Sequence, residues 1–204
     1  MQHLLRGRAH ECLRSATRSL HEALDASMPL SDLANPQNYI RYLSINWPCA
    51  AIEEALEGAG VYRILRDWNC RRRRFDLADD LFALGAALPP SREFQIANDT
   101  ATILGWSYVL EGSRLGASVI LRKVEVSAPA EIRAATRFLR HGLGENYWNS
   151  FKIALALIDH DPEAIARASE GACAAFECFL GSVAGIKAIP ACPEPRITES
   201  EEPV

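Results

Sequence analysis

The stretch YVLEGSRLGASVI, residues 108–120, is helical in pattern and yet carries Gly112 and Gly116 four residues apart. Glycine inside a helix costs roughly 1 kcal/mol relative to alanine, because it loses the most backbone entropy and packs no side chain. Together with Gly105, seven residues before Gly112, these glycines fall on one stripe of a helix. One face of this helix therefore carries almost no side-chain atoms, and its loss of helix stability requires a physical explanation.

Ser113 and Ala117 form a second stripe of small residues beside the glycines. Three causes would explain such a face: a close crossing with another helix, dimerisation in a membrane, or a flat ligand against exposed backbone. Glu111 and Arg114 lie in the same segment and argue against the membrane. Helix crossing and ligand contact both stay open, and small residues at helix contacts favour crossing when nothing else is known.

The composition indicates one soluble globular domain, since 204 residues with 49% hydrophobic content are enough for a single core. A net charge of −4 argues against a nucleic-acid partner. The one basic run, RRRR at 71–74, is expected to be the solvated start of a helix. No apolar run approaches the roughly 18 residues of a membrane span, and residues 1–14 lack the apolar core of a signal peptide. We therefore expect a cytoplasmic protein with no membrane partner.

The cysteines are scattered without a CxxC pair, which favours reduced, packed thiols over disulfides or a zinc site. The six are Cys12, Cys49, Cys70, Cys173, Cys178 and Cys192.

Hydrophobic periodicity predicts an all-α fold in a single domain over 9–187, with a flexible amino terminus at 1–8 and a disordered acidic, proline-rich tail at 188–204. Caps and stops divide the domain into helices. The expected helices cover 9–25, 36–58 with a bend at Pro48, 76–84, 98–123, 129–140, 145–159 and 162–185.

The first helix contains LRSATRSLHEALD, residues 13–25, and places His21 on the flank of its apolar face. Asp25 follows one turn later, on the same side as the imidazole. A metal-binding histidine usually gives its second ring N–H to a carboxylate or carbonyl, so this pair suits an axial ligand. A single histidine beside an apolar face is nevertheless more often a surface or core histidine, and Asp25 is equally well a solvated acid.

Together, LRSATRSLHEALD and YVLEGSRLGASVI resemble the heme oxygenase family, and in particular its bacterial branches, some of which supply biliverdin to bacteriophytochromes. The resemblance implies a single-domain helical bundle with heme between a proximal and a distal helix. His21 takes the position of the iron's axial ligand, with Asp25 behind it. Gly112, Ser113 and Gly116 take catalytic positions in the distal helix, where the backbone lies against the porphyrin.

The resemblance also assigns residues to the rest of the heme cleft. Arg14, Arg18 and Lys152 match basic residues near the propionates, and Thr17 and Ala117 match positions that contact heme. The alternative interpretation of these three cations is that each lies on a solvent-exposed helix face and binds no propionate. Members of the mammalian type carry an aspartate where this chain has Ser113. The groups that help to activate oxygen are therefore not identified by the resemblance.

The implied reaction is the oxidative cleavage of heme to biliverdin, CO and ferrous iron, with heme b as both substrate and cofactor. It uses O2 and electrons from a donor such as ferredoxin or flavodoxin with its reductase, and a bacteriophytochrome is a possible acceptor of the product. A non-catalytic heme or bilin carrier of the same fold is the main alternative. Two further alternatives are a purely structural helical module and a thiamin-degrading or quinone-forming relative of the wider fold.

Overall fold

The computed structural model describes residues 7–187, and helix is the regular secondary structure found there. The predicted tail at 188–204 and most of the predicted flexible amino terminus lie outside the described residues. The helices are α1 (Arg8–Ser27), α2 (Pro36–Ile45), α3 (Pro48–Ala59), α4 (Trp68–Arg71), α5 (Arg74–Ala83), α6 (Thr100–Ser127), α7 (Ala130–Ala134), α8 (Arg137–Arg140), α9 (Tyr147–Leu155) and α10 (Pro162–Lys187).

Helix α10 packs lengthwise against both α6 and α1 and so sets the frame of the domain. Its approach to α6 is close at Gly105, where a Cβ atom would lie 2.1 Å from the carbonyl oxygen of Ala168. No side chain fits there, because the obstructing atom belongs to the backbone of the neighbouring helix. The crossing of α6 and α10 therefore accounts for the first glycine of the stripe.

The segment predicted as one bent helix from Pro36 is two helices, since the chain turns at Trp47 and Pro48 starts α3. The Asn35 side chain caps α2 by accepting hydrogen bonds from the backbone N–H groups of the second and third residues that follow it, at 2.9 and 3.3 Å. Helix α3 continues past Gly58 to Ala59, and Gly60 ends it with a left-handed φ of 86°. The predicted stop at Gly58 was therefore wrong by one residue.

The single helix predicted over 129–140 is broken between α7 and α8 by contacts from distant parts of the chain. The Tyr39 hydroxyl donates to the carbonyl of Ala135 at 2.7 Å. The Asp80 carboxylate accepts the backbone N–H groups of Arg137 and Phe138 at 3.0 and 2.9 Å. In a continuous helix the Ala135 carbonyl and these two backbone N–H groups would pair within the helix, and here they pair with side chains instead.

None of the helices described for this chain has the length and apolar character needed to cross a membrane. The five cysteines among the described residues are free, and Cys192 lies outside them.

Candidate functional site

Helices α1 and α6 both pack on α10, and we call the space between these two helices the cleft. At one end the rings of His10 and Tyr108 join the two helices, with centroids 6.2 Å apart. At the other end residues 30–34, just after α1, face residues 119–127 of α6 across a groove of about 640 Å³. The two helices therefore run in the same direction, and His21 and the glycines of α6 lie between these ends.

His21 and Asp25 form the pair that the sequence predicted, with Nδ1 of the imidazole 3.0 Å from Oδ2 of the carboxylate. A carboxylate only accepts, so Nδ1 carries the hydrogen and Nε2 keeps its lone pair. The side chains are 61% and 63% exposed, and the imidazole lies 5.7 Å from the ring of Phe176. The pair fixes the ring orientation and leaves the ligating nitrogen directed away from Asp25.

The glycine stripe of α6 has two different causes along its length. Gly105 is required by the crossing with α10, whereas a Cβ atom at Gly116 would meet no described atom within 4 Å. At Gly112 the nearest such atom is Cζ3 of Trp148, at 3.9 Å. Among the described residues, no backbone atom of another helix lies within 4 Å of a Cβ at either glycine, and only the edge of the Trp148 ring approaches Gly112. The helix-crossing explanation therefore ends at Gly105, and Gly112 and Gly116 form an open wall of the cleft.

Ser113 and Ala117 are directed away from this open wall. The Ser113 hydroxyl donates to the carbonyl of Leu110 at 2.8 Å and accepts a hydrogen bond from Nη2 of Arg73 at 2.5 Å. Ala117 is buried in the hydrophobic core. Contact of Ala117 with a ligand stays a prediction, and Ser113 joins a polar cluster behind the distal helix.

The predicted cations Arg14 and Arg18 line a smaller cavity of about 240 Å³ on α1, together with Glu11. Thr17 is buried, and its hydroxyl donates to the carbonyl of Leu13 at 2.8 Å. Burial raises the pKa of Tyr108, whose hydroxyl lies beside Thr17. These residues therefore belong to the end of the cleft that the aromatic contact closes.

Lys152 lies on α9, one turn after Trp148. The Trp148 ring is 5.6 Å from the ring of His10, so α9 borders the same closed end of the cleft. Lys152 is half-buried. Arg14 and Arg18 thus lie at one end of the cleft, and α9, which carries Lys152, borders the same end; the groups that the three cations bind stay a prediction.

The basic run at 71–74 is not a solvated helix start, and that prediction was wrong. Arg71 and Arg73 are only 1% and 2% exposed. The Arg71 guanidinium pairs with Glu111. The Arg73 guanidinium donates to the carbonyl of Leu110 and to the Ser113 hydroxyl. The buried Glu53 accepts the backbone N–H groups of Arg73 and Arg74 at 2.8 and 3.1 Å. Burial raises the pKa of Glu53, although both arginines oppose the shift.

Glu111 is fully buried between two guanidinium groups. Its Oε2 lies 2.9 Å from Nη1 of Arg71 and 3.2 Å from Nε of Arg114. Asp67 also pairs with Arg71, at 2.7 Å. Burial, followed by the charge of Arg73, lowers the pKa of Arg114 to about 10. This network attaches α4 to the back of α6, directly behind the glycine wall.

His141 joins the network as a neutral imidazole. Nη1 of Arg114 lies 2.8 Å from its Nδ1, and since arginine only donates, Nδ1 accepts and Nε2 carries the hydrogen. Burial, followed by the charges of Arg114 and Arg73, lowers the pKa of His141 to about 4. The nearest carboxylate oxygen in an ion-pair contact is Oδ2 of Asp76, at 3.8 Å from Nε2.

Sequence reasoning missed this arginine network. A signal was present, because Glu111 and Arg114 stand three residues apart within an apolar helix that offers them no other partners nearby. A buried carboxylate in such a helix requires a cation. The arginine run at 71–74 is the densest concentration of cations in the sequence.

The arrangement of helices is that of an all-α heme oxygenase. The structure matches the crystal structures of the NO- and CO-bound heme oxygenase from Neisseria meningitidis with a TM-score of 0.72 over 97% of this chain and 100% of that one, at 20% identity. The sequence matches the heme oxygenase family model over residues 65–184. It is also 34% identical to a heme oxygenase of Xanthomonas campestris pv. campestris (strain 8004) over 134 residues, which are 64% of this chain and 78% of the relative. The chain belongs to the heme oxygenase family.

The family match includes the glycine wall and the arginine network but begins after α1. The assignment of His21 therefore depends on the geometry of α1 in this structure.

Proposed function

We propose that this protein is a heme oxygenase that binds heme in the cleft between α1 and α6 and cleaves it to biliverdin, CO and ferrous iron. One observation supports this site above the others. An exposed histidine, oriented by a carboxylate, lies across the cleft from a glycine wall where no described atom comes within 4 Å of a Cβ at Gly116.

Heme supplies the iron at which O2 is reduced and the ring carbon that becomes oxidised. His21 would hold the iron through Nε2, while Asp25 accepts the Nδ1 hydrogen, fixes the tautomer and would make the ligand more basic. Gly112 and Gly116 would let the backbone of α6 approach the face of the porphyrin, because neither residue carries a side chain.

Arg73 and Ser113 are proposed to hold water on the side of α6 behind Gly112 and Gly116. They would replace the aspartate that members of the mammalian type carry at the position of Ser113. The Ser113 hydrogen is used on the carbonyl of Leu110, and Arg73 occupies one of the lone pairs of the hydroxyl. Nε of Arg73 is buried and has no hydrogen-bond partner among the described residues. A buried donor in this state is normally satisfied by an ordered water, which offers a route for protons.

Arg14, Arg18 and Lys152 are proposed to bind heme propionates, because they border the same end of the cleft. Thr17 and Ala117 are proposed to pack near the ring from α1 and α6.

A non-catalytic heme or bilin carrier is the second candidate, and the observation that favours it is Ser113 in place of the aspartate. The carrier would use the same cleft and the same histidine without turnover. The polar cluster around Arg73 favours the enzyme.

Electrons are proposed to come from a ferredoxin or flavodoxin with its reductase, and the reaction is proposed to take place in the cytoplasm. The free cysteines of the described residues support a reducing compartment. A bacteriophytochrome as acceptor of the biliverdin is a proposal from the family resemblance.

Addition of hemin followed by ascorbate or a ferredoxin system tests this function. An enzyme gives a Soret band with one equivalent of hemin and then the absorption of verdoheme and biliverdin. A carrier gives the Soret band with no turnover, and a structural module gives no Soret band. Either of the last two results contradicts the proposal.

A further inference from the structure

An exposed apolar face lies on α9 and on the short 3₁₀ helix that follows it, Ala156–Ile158. Ile153 and Leu157 are 67% and 71% exposed and stand four residues apart, so they share one side of this helical segment. Single exposed apolar side chains are common on protein surfaces, whereas adjacent large ones mark a surface that another segment can cover. We call Ile153 and Leu157 the α9 face.

The chain enters the domain beside the α9 face. The backbone N–H of Ala9 donates to Oδ1 of Asp159 at 2.8 Å, and a Cβ atom at Gly7 would collide with the same carboxylate. Asp159 comes directly after the 3₁₀ helix, two residues after Leu157. Gly7 has an extended backbone, with φ −67° and ψ 155°, so the helical path of α1 ends there. The segment 1–6 is therefore attached to the domain next to Leu157.

The segment 1–6 reads MQHLLR and supplies two large apolar side chains close to the attachment point. Leu4 and Leu5 precede Gly7 by three and two residues. Three residues of extended chain span about 10 Å, and Ile153 and Leu157 are separated by about one helical turn, or roughly 5.4 Å. The two leucines can therefore reach the α9 face without displacing any helix.

The charges at the attachment point favour the same direction for the chain. Arg6 directly precedes Gly7, and three carboxylates follow the 3₁₀ helix within five residues, at Asp159, Asp161 and Glu163. Asp161 and Glu163 are exposed. A guanidinium group at Arg6 is complementary to this acidic edge.

The residues after Lys187 are less suitable for covering the α9 face. Helix α10 begins at Pro162, close to the 3₁₀ helix, and its 26 residues carry Lys187 about 39 Å away. The sequence beyond Lys187 contains four glutamates and one arginine, so the acidic edge would repel it.

We propose that residues 1–6 fold back from Gly7 and pack Leu4 and Leu5 on the α9 face, with Arg6 at the acidic edge. The segment then joins the start of α1 to α9, the two helices that meet at the closed end of the cleft through the rings of His10 and Trp148. This docking is an alternative to the flexible amino terminus predicted over 1–8, and it does not depend on heme.

Trypsin cleavage after Arg6, followed by mass spectrometry of the full-length heme-free protein, tests the docking. Cleavage of a segment that opens locally follows the population of its open state. Ile153→Ser and Leu157→Ser leave the cleavage site itself unchanged, and we expect each to accelerate cleavage about fivefold or more. Val126→Ser removes an 87% exposed aliphatic side chain from α6 and should leave the rate unchanged. Urea unfolding verifies that each variant is folded, and equal cleavage rates in all four proteins overturn the proposal.

Methyl NMR identifies the segment that covers the α9 face. We expect nuclear Overhauser effects between the methyl groups of Leu4 or Leu5 and those of Ile153, and a changed Ile153 methyl shift in the double variant Leu4→Ser with Leu5→Ser. An Ile153 shift that changes on dilution instead indicates a second copy of the chain. A shift that responds instead to Ile189→Ser indicates the residues after Lys187. Either of these results, or an Ile153 methyl group that responds to none of the changes, overturns the proposal.

Discussion

Replacing Gly116 with leucine separates the two explanations of the bare face of α6. No described atom lies within 4 Å of a Cβ at this position, so the new side chain extends into the cleft and not into another helix. Leucine is also the better helix former, by about 0.8 kcal/mol. We therefore expect the heme-free Gly116→Leu protein to unfold about 2 to 3 °C above the native protein.

The same side chain should obstruct the ligand. Leucine adds four carbon atoms to a wall against which a porphyrin would lie, and overpacking of a close contact typically costs about 1 to 3 kcal/mol. Hemin affinity should therefore fall about tenfold or more.

Gly105→Ala is the matched control within the same stripe. Its single added carbon would lie 2.1 Å from the carbonyl oxygen of Ala168, so the two helices must separate. We expect a loss of about 1 to 3 kcal/mol of stability, with hemin affinity nearly native in the folded fraction.

Thermal unfolding of the heme-free proteins and hemin titrations on the same preparations measure both effects. If Gly116→Leu lost stability and bound hemin normally, a protein contact would explain Gly116, and the assignment of the distal face would be refuted.

Three further predictions concern the polar cluster behind α6. Glu111→Gln should lower the free energy of unfolding in urea by about 3 to 5 kcal/mol, because two buried guanidinium groups lose their shared carboxylate; a change below about 1 kcal/mol contradicts the network. Ser113→Asp should stabilise the protein by about 1 kcal/mol or more, since it gives Arg73 a carboxylate partner, and it should raise turnover if water is organised there; a lower melting temperature opposes this. His141 binds its proton more weakly in the folded than in the unfolded state, so its contribution to stability, present above about pH 6.5, should be lost as the pH falls toward about 4, by about 2 to 3 kcal/mol. His141→Asn should remove that dependence while exposed His160→Asn retains it, and parallel pH profiles of the native protein and His141→Asn would contradict the low pKa.

The sequence predicted those parts of the protein that depend on residues close together in the chain. The pair of His21 and Asp25 depends on one helical turn, and the structure places the two side chains 3.0 Å apart. The glycine stripe was also visible, although the sequence alone could not separate Gly105, which faces α10, from Gly116, which faces open space. That distinction requires the position of a helix more than fifty residues further along the chain.

The inward orientation of the arginines could not be predicted from their own segment. Four consecutive cations usually remain in water. Arg71 is buried because Glu111 of α6 pairs with it, and Arg73 because the Leu110 carbonyl and the Ser113 hydroxyl of α6 accept its hydrogen bonds. The break between α7 and α8 has the same origin, since its hydrogen bonds come from Tyr39 and residues of α5.

The central claim is that His21 binds heme iron, and the hemin spectrum of His21→Ala tests it most directly. His10→Ala is the matched control, because His10 lies on the same helix at the closed end of the cleft. We predict that His21→Ala loses the native ferric spectrum and biliverdin formation, that added imidazole restores the spectrum in part, and that His10→Ala keeps both. A native spectrum and normal biliverdin formation in His21→Ala would contradict the account.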